Sequence, residues 1–570
     1  MAELVGLAAP GWLLMLGALL VPLLPRRALQ AMLLVLPALG LVQVLSLPTD
    51  TVWSVDAFGY ALTPLRADAL ARVFAIVFHL AALLSMLFAL HIKDRRQHAA
   101  ALIYAGSAIA ALYAGDLVTL FVYWELTAVS SVVLVWARER PRARRAGLRY
   151  LVVQVLSGVL LMAGAIYQWQ ETGSLAFSHS SLATPAGLLL FLAFGIKAAF
   201  PLLHNWLQDA YPEATVTGAV FLSAFTTKLA IYALARGFAG TEILIPIGAV
   251  MTAFPIFFAV IENDLRRVLT YSLNNQLGFM VVGIGIGTEL ALNGAAAHAF
   301  AHILYKGLLF MSMGAVLHRT GTCRGSELGG LYKVMPRTAI FCMVGAASIS
   351  AFPLTSGFIA KGMIISAAAE GHHWITFLVL LFASAGVFHH SGIKIPYFAF
   401  FSHDHGIRHR QVSTRTPRNM QWAMAAAAFL CLAIGTLPGP LYKLLPFPVA
   451  FAPYTTSHVV SQLQLLLYSA LAFVFLQKTG LYPPELRSTV LDSDWSYRRA
   501  APWLLRHIGR GIDAGLGHAQ RLVIAGHQRG LALIRRLHSP GGPLGDPWPT
   551  GITVFVAAML LAAYLILYYL

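Results

Sequence analysis

Sixteen apolar runs fill most of this chain, each about the twenty residues that a helix needs to cross the hydrocarbon core of a bilayer. They are 4–24, 29–48, 69–92, 98–114, 117–137, 147–169, 186–208, 215–236, 242–262, 267–287, 291–318, 338–368, 373–401, 421–441, 458–478 and 551–570. With 570 residues, 58% of them hydrophobic and 11% charged, the chain is not an ordinary soluble protein. The expectation is an all-α polytopic membrane protein, because helices satisfy their own backbone polar groups within lipid. The first run opens on Met-Ala-Glu with no basic n-region and no small-residue cleavage site, so it reads as a retained helix and not a signal peptide.

A net charge of +17 raises the question of nucleic acid, but the charge is one-sided. Loops after odd-numbered spans hold Arg26, Arg27, Lys93, Arg95, Arg96, the run RERPRARRAGLR, Arg266, Arg267, and the basic segments from Arg319 to Arg337, Arg408 to Arg418 and Lys478 to Arg536. The opposite loops hold little beyond Arg66, Arg236 and Lys443. This is the positive-inside pattern of a bacterial inner-membrane protein, with basic loops cytoplasmic and both termini periplasmic. No nucleic-acid partner is expected.

Five of the nine lysines lie inside apolar runs: Lys197, Lys228, Lys306, Lys361 and Lys394. Glu125 sits mid-span in LVTLFVYWELTAVSSVVLVW. Of thirty-one arginines, only Arg72 falls well within a run. An ionised group at bilayer depth costs a few kcal/mol or more and marks a functional site by default. Lysine releases its proton when desolvated and arginine does not. The pattern therefore points to proton movement.

Two spans are interrupted alike. In LFLAFGIKAAFPLLHNWLQDAYPEA, Lys197 stands four residues before Pro201; in ASISAFPLTSGFIAKGMII, Pro353 stands eight residues before Lys361. Proline frees a carbonyl, which a membrane tolerates only inside protein or beside water. Matching broken helices, in spans seven and twelve, point to inverted repeats of five helices each. The expected division is 1–97, N-terminal helices; 98–236 and 242–401, the two repeats; 402–478, further core helices; 479–550, a cytoplasmic amphipathic extension; and 551–570, a last span. Within the extension, 502–538 repeats apolar residues at helical spacing with arginines on another face, as in a helix lying at the headgroups.

Glu125 has two compatible roles, a structural ion pair and a switch that holds a nearby lysine charged until geometry changes. Lys197, beside a helix break, is its expected partner. Lys228 lies seven residues short of the end of its run, near enough to snorkel to the surface. His298, His302 and Lys306 recur every four residues and share one helix face. They form a ladder of titratable groups, and histidine relays protons near neutrality. HxxxH is also a two-ligand metal pattern, but a third ligand and the HExxH glutamate are missing. Lys394, after His389 and His390, is another relay or lines a pore. The cysteines Cys323, Cys342 and Cys431 show neither disulfide nor metal spacing. No metal and no cofactor is expected.

Several segments together resemble the antiporter-like proton-channel subunits shared by respiratory complex I, membrane-bound hydrogenases and Mrp-type cation/proton antiporters: GDLVTLFVYWEL, GIKAAFPLLHNWLQDAYPEATVTGAVFLSAFTTKLAIYAL, ENDLRRVLTYSLNNQLGFM, HAFAHILYKGLLF and FPLTSGFIAKG. The resemblance covers most of residues 60–440. It implies a core of about fourteen helices with two inverted five-helix repeats. It also implies Glu125 and Lys197 as the interacting pair of the first half-channel, Lys228 as the connecting lysine, Lys306 as the central one, Lys361 as the terminal one, and His298 and His302 as relays. LHNWLQDAYPEAT looks like the D-type Mrp protein. The added residues 479–570 look more like the distal subunit of complex I.

The function expected from these readings is proton translocation within a multisubunit complex, with other membrane subunits as partners and a monovalent cation such as Na+ exchanged for H+. The alternatives are the pumping module of a redox or inorganic-carbon-uptake complex, and, from another class, a metal-dependent membrane enzyme. No redox motif is present, so in a redox complex the chain is a translocase subunit without its own centre.

Overall fold

The computed structural model describes residues 9–57, 59–404, 406, 415–487 and 490–570. The start of the first expected span and residues 407–414 of the basic loop after span thirteen lie outside the described residues. Every expected run contains helix, and among the described residues eleven helices are long and apolar enough to cross a membrane. The chain is a multi-pass membrane protein. One element was not expected: an antiparallel hairpin of strands Val52–Ala57 and Tyr60–Arg66 turning at Gly59, whose φ is +81°.

The two repeats are visible residue by residue. Asp116 caps the helix Leu117–Trp136 and Asp264 caps Leu265–Ile286, each bonding the first-turn backbone. In the first repeat, Leu117 N donates to the Leu175 carbonyl (2.9 Å) and Phe177 N to Gly115 (2.8 Å); in the second, Leu265 N donates to Cys323 (2.9 Å) and Gly325 N to Asn263 (2.8 Å). The matching elements are offset by five spans, an odd number, so the repeats run in opposite directions.

The helix breaks match as closely. The tetrad Ala-Phe-Pro-Leu occurs at 199–202 and again at 351–354. In both copies the alanine and leucine are left-handed: Ala199 at φ 63°, Leu202 at 68°, Ala351 at 57° and Leu354 at 70°. Each such residue costs about 1–2 kcal/mol, and the cost recurs at both sites. The first segments end at Ala198 and Ile349, and the chain resumes as the helices Asn205–Ala210 and Ser356–Glu370.

At the centre runs the helix Glu289–Thr320, capped by Thr288 and by Gly321 at φ 75°. It is buried along nearly its whole length, which explains how His298, His302 and Lys306 all lack solvent exposure. The three cysteines are free and buried.

One compact unit runs to Asp492, so the core includes the described residues 479–487 and 490–492, which the sequence assigns to the extension. A second unit, Ser493–Leu570, contains the helices Ala501–His538 and Thr550–Tyr569, neither with a buried residue. The glycines at 509, 511, 515 and 517 do not interrupt the first of these.

Candidate proton pathway

Every lysine singled out from the sequence is buried to within 1% of its surface. In the first repeat, Lys197 Nζ lies in the last turn of its helix segment. It donates to the Trp124 carbonyl (2.6 Å) and Thr127 Oγ1 (3.1 Å), 4.3 Å from the centre of the Trp124 ring. Glu125 is the next residue along, yet among the described residues no ion pair within 4.0 Å joins it to Lys197. Its carboxylate packs instead on the neighbouring helix Pro141–Thr172, at Gly158, where an added methyl group would overlap Oε1. Glu125 and Lys197 remain within electrostatic reach of one another.

The second repeat reaches the same arrangement from the other side of its break. Lys361 follows Pro353, and its Nζ donates to the Ile349 carbonyl (2.7 Å), the last residue of the first segment. Ile349 stands four residues before Pro353, as Lys197 stands four before Pro201. Lys361 thus places its ammonium at the negative end of a broken helix, whereas Lys197, itself in the last turn of one, reaches across to the helix Leu117–Trp136; each ammonium lies over an aromatic face, Phe279 being 5.1 Å from Lys361 Nζ.

Lys228 does not snorkel. The helix Gly218–Ala224 gives way to Thr226–Gly237 at Phe225, and Lys228 Nζ donates to the Ser223 carbonyl freed by that step. His302 lies within electrostatic reach of Lys228, Lys306 and Lys361 together. Neither of its ring nitrogens has a hydrogen-bond partner among the described residues. That suits a group waiting on water. His298 bonds Gln276 (3.2 Å) and Tyr305 (2.9 Å), and the Tyr305 hydroxyl donates to Gln276 (3.0 Å).

From Lys306 the path continues by side chains. Its Nζ donates to Ser272 Oγ (2.8 Å), Ser391 donates to Ser272 (2.8 Å), and His390 Nδ1 meets Ser391 (2.9 Å). His390 and Ser391 lie in a π-helical widening at Phe388–Ile393, a distortion often found at functional sites. Lys394 follows and pairs with Glu485 at 2.8 Å.

The sequence reading missed Ser272, Gln276, Tyr305, Ser391 and Glu485. The polar string SLNNQ inside an apolar run was the available signal for two of them. Glu125 itself is only half-buried, whereas the side chains of Glu262, Glu485 and Asp492 are buried and paired with Arg267, Lys394 and His204 respectively. Arginine is not barred from the interior either. Arg266 is buried, but at a helix start, where it donates to the carbonyls of Tyr211, Ala214 and Thr215. Among the described residues no protein hydrogen bond joins Lys197 to Lys228, and no three His, Cys, Asp or Glu side chains converge as a metal site.

The chain matches the family model described as NADH:quinone oxidoreductase/Mrp antiporter, transmembrane, over residues 114–436. It is 32% identical over 293 residues to the D component of the Na(+)/H(+) antiporter of Alkalihalophilus pseudofirmus, covering 48% of this chain and 59% of that protein. It is 29% identical over 340 residues to hydrogenase-4 component B of Escherichia coli, covering 53% and 51%. The chain thus spans little more than half the length of these curated relatives. Its fold is that of a chain in the Mrp complex of Dietzia, with a TM-score of 0.76 at 24% identity over 97% of this chain and 66% of that one. The family match includes both half-sites and the central helix between them. The chain belongs to the NADH:quinone oxidoreductase/Mrp antiporter transmembrane family.

Proposed function

We propose that this chain is the proton-translocating subunit of a multisubunit membrane complex and that it works in monovalent cation/proton exchange. One observation supports the reading: buried lysines and histidines lie on the first broken helix, the central helix and the second broken helix, and again at Lys394. The site roles are Glu125 and Lys197 as the first half-channel, Lys228 as the connection, His298, His302 and Lys306 as the central relay, and Lys361 and Lys394 as the terminal groups. Pro201 and Pro353 make the breaks. The repeats occupy 98–236 and 242–401, the membrane is the bacterial inner membrane, and the basic loops face the cytoplasm.

The second ion needs a site elsewhere. Hard cations take several oxygen ligands, and the carboxylates described above are already engaged: Glu262, Glu485 and Asp492 with Arg267, Lys394 and His204, and Asp116 with the hydrogen bonds of its helix cap. Partner subunits therefore supply the cation site or, in the alternative reading as a redox pumping module, the driving reaction. Expressed alone in a strain lacking its own antiporters, this chain should not restore salt tolerance, whereas the full operon should. Sodium/proton exchange by the lone purified chain in liposomes would overturn the proposal. Failure of the full operon, with proton pumping coupled to a redox substrate instead, would select the alternative.

A further inference from the structure

After the helix Thr456–Lys478, the described residues 479–487 and 490–492 carry two carboxylates inward. Glu485 Oε1 stands 2.8 Å from Lys394 Nζ, and its carboxylate is 6% exposed. Lys394 is wholly buried. It also donates to the carbonyls of Ala259 (3.3 Å), Val260 (2.6 Å) and Glu262 (2.7 Å), at the end of the helix Leu244–Ile261. On either side of Glu485, Pro484, Leu486 and Arg487 are exposed. Glu485 is thus a residue with its backbone at the surface and its carboxylate on a buried ammonium. The other titratable groups around the pair are Glu262, His389, His390 and Tyr482. Burial pushes the Glu485 carboxyl up, against the pull of Lys394.

The far end of this strap is anchored. Asp492 accepts hydrogen bonds from Tyr271 (2.9 Å), His204 (3.3 Å) and Asn205. Burial opposes its charge, yet these bonds hold its carboxyl below the usual carboxylate range. His204 and Asn205 begin the second segment of the first broken helix, so the strap ties both repeats together.

We propose that Glu485 is the proton-exchanging partner of Lys394 and passes protons between that buried ammonium and the water outside the strap. In the step, one N–H proton of Lys394 moves to the Glu485 carboxylate, leaving a neutral amine and a carboxylic acid. The pair stays neutral in this transfer; when the acid releases its proton outward, the carboxylate beside the neutral amine carries one negative charge until the amine takes the next proton from the inner side of the path. The proposal rests on the reading of Lys394 as a member of the proton path.

The test uses the assembled complex in everted vesicles, with quenching of a pH-gradient dye as the readout. Glu485→Gln should slow transport about a hundredfold, the scale of a lost acid–base group. The double variant Lys394→Met, Glu485→Gln should stay equally silent, because removing both charges does not restore a proton carrier. Recovery of transport in the double variant would show that Glu485 only balances charge and would overturn the proposal, as would wild-type transport by Glu485→Gln. Should Glu485→Gln fail to assemble, Glu485→Asp is read instead. It keeps the charge one methylene short and should transport about tenfold slower, and an unchanged rate would overturn the proposal. Glu125→Gln is measured alongside. If it too transports normally, the fault lies with the proton-path reading of the chain; if it is silent while Glu485→Gln is normal, the fault lies with Glu485 alone.

Discussion

Glu125→Gln and Lys197→Ala are each expected to lower cation-dependent quenching of a pH-gradient dye in everted vesicles by about a hundredfold, with insertion and assembly unchanged. The geometry explains why such small changes act so strongly. Lys197 Nζ is held by the Trp124 carbonyl and Thr127, one residue from Glu125. Glu125 is held away at Gly158. An opposite charge drawn near stabilises an ammonium, and its withdrawal destabilises it. Glutamine in place of Glu125 keeps the shape and loses the charge, and alanine in place of Lys197 removes the carrier. The helix pair Leu117–Trp136 and Pro141–Thr172 remains packed through Trp124, whose Nε1 donates to Ser157 (2.9 Å). Assembly should therefore survive. Near-normal transport by either variant would remove the pair from the mechanism.

Lys361→Arg is expected to fail nearly as badly as Lys361→Ala, also by about a hundredfold. Guanidinium stays protonated at any relevant pH, so arginine preserves the charge and blocks its release. Lys361 Nζ reaches the Ile349 carbonyl from across the helix break, and a fixed cation there would simply complete the helix end. If the residue supplies only positive charge, arginine rescues. Comparison of both variants at equal expression separates proton exchange from charge balance.

The spans were legible because their signal is length and apolarity, and a twenty-residue run has few other uses. The buried lysines were legible for the converse reason, since a charge stands out where almost everything else is apolar. The breaks were marked by Pro201 and Pro353, although the repeated Ala-Phe-Pro-Leu tetrad is the sharper sign. Other features left no comparable trace. The hairpin at 52–66 exposes most of its first strand, so no alternation of buried and exposed residues announces it. Ser272, Gln276 and Tyr305 read as ordinary polar residues in a span, because a hydroxyl or amide in sequence does not declare its partner. Glu485 follows two prolines in a segment with the composition of a solvent loop. Only the folded chain brings it to Lys394. The expectation of a Glu125–Lys197 pair came from residue types alone, whereas the position of Glu125 against Gly158 depends on a helix contact that the sequence does not specify.

Lys306 is where the account can be tested most directly. It lies on the central helix, donates to Ser272, and stands between His302 and the Ser391–His390 branch. The measurement is proton flux under an imposed sodium gradient, in proteoliposomes holding the complete purified complex with wild-type Lys306 or Lys306→Met. Methionine fills nearly the same volume without a titratable group. The account predicts that flux in the variant falls to the background of empty liposomes while the complex keeps its size and composition. Flux equal to wild type through an intact Lys306→Met complex would contradict it, because protons would then be crossing without the buried axis.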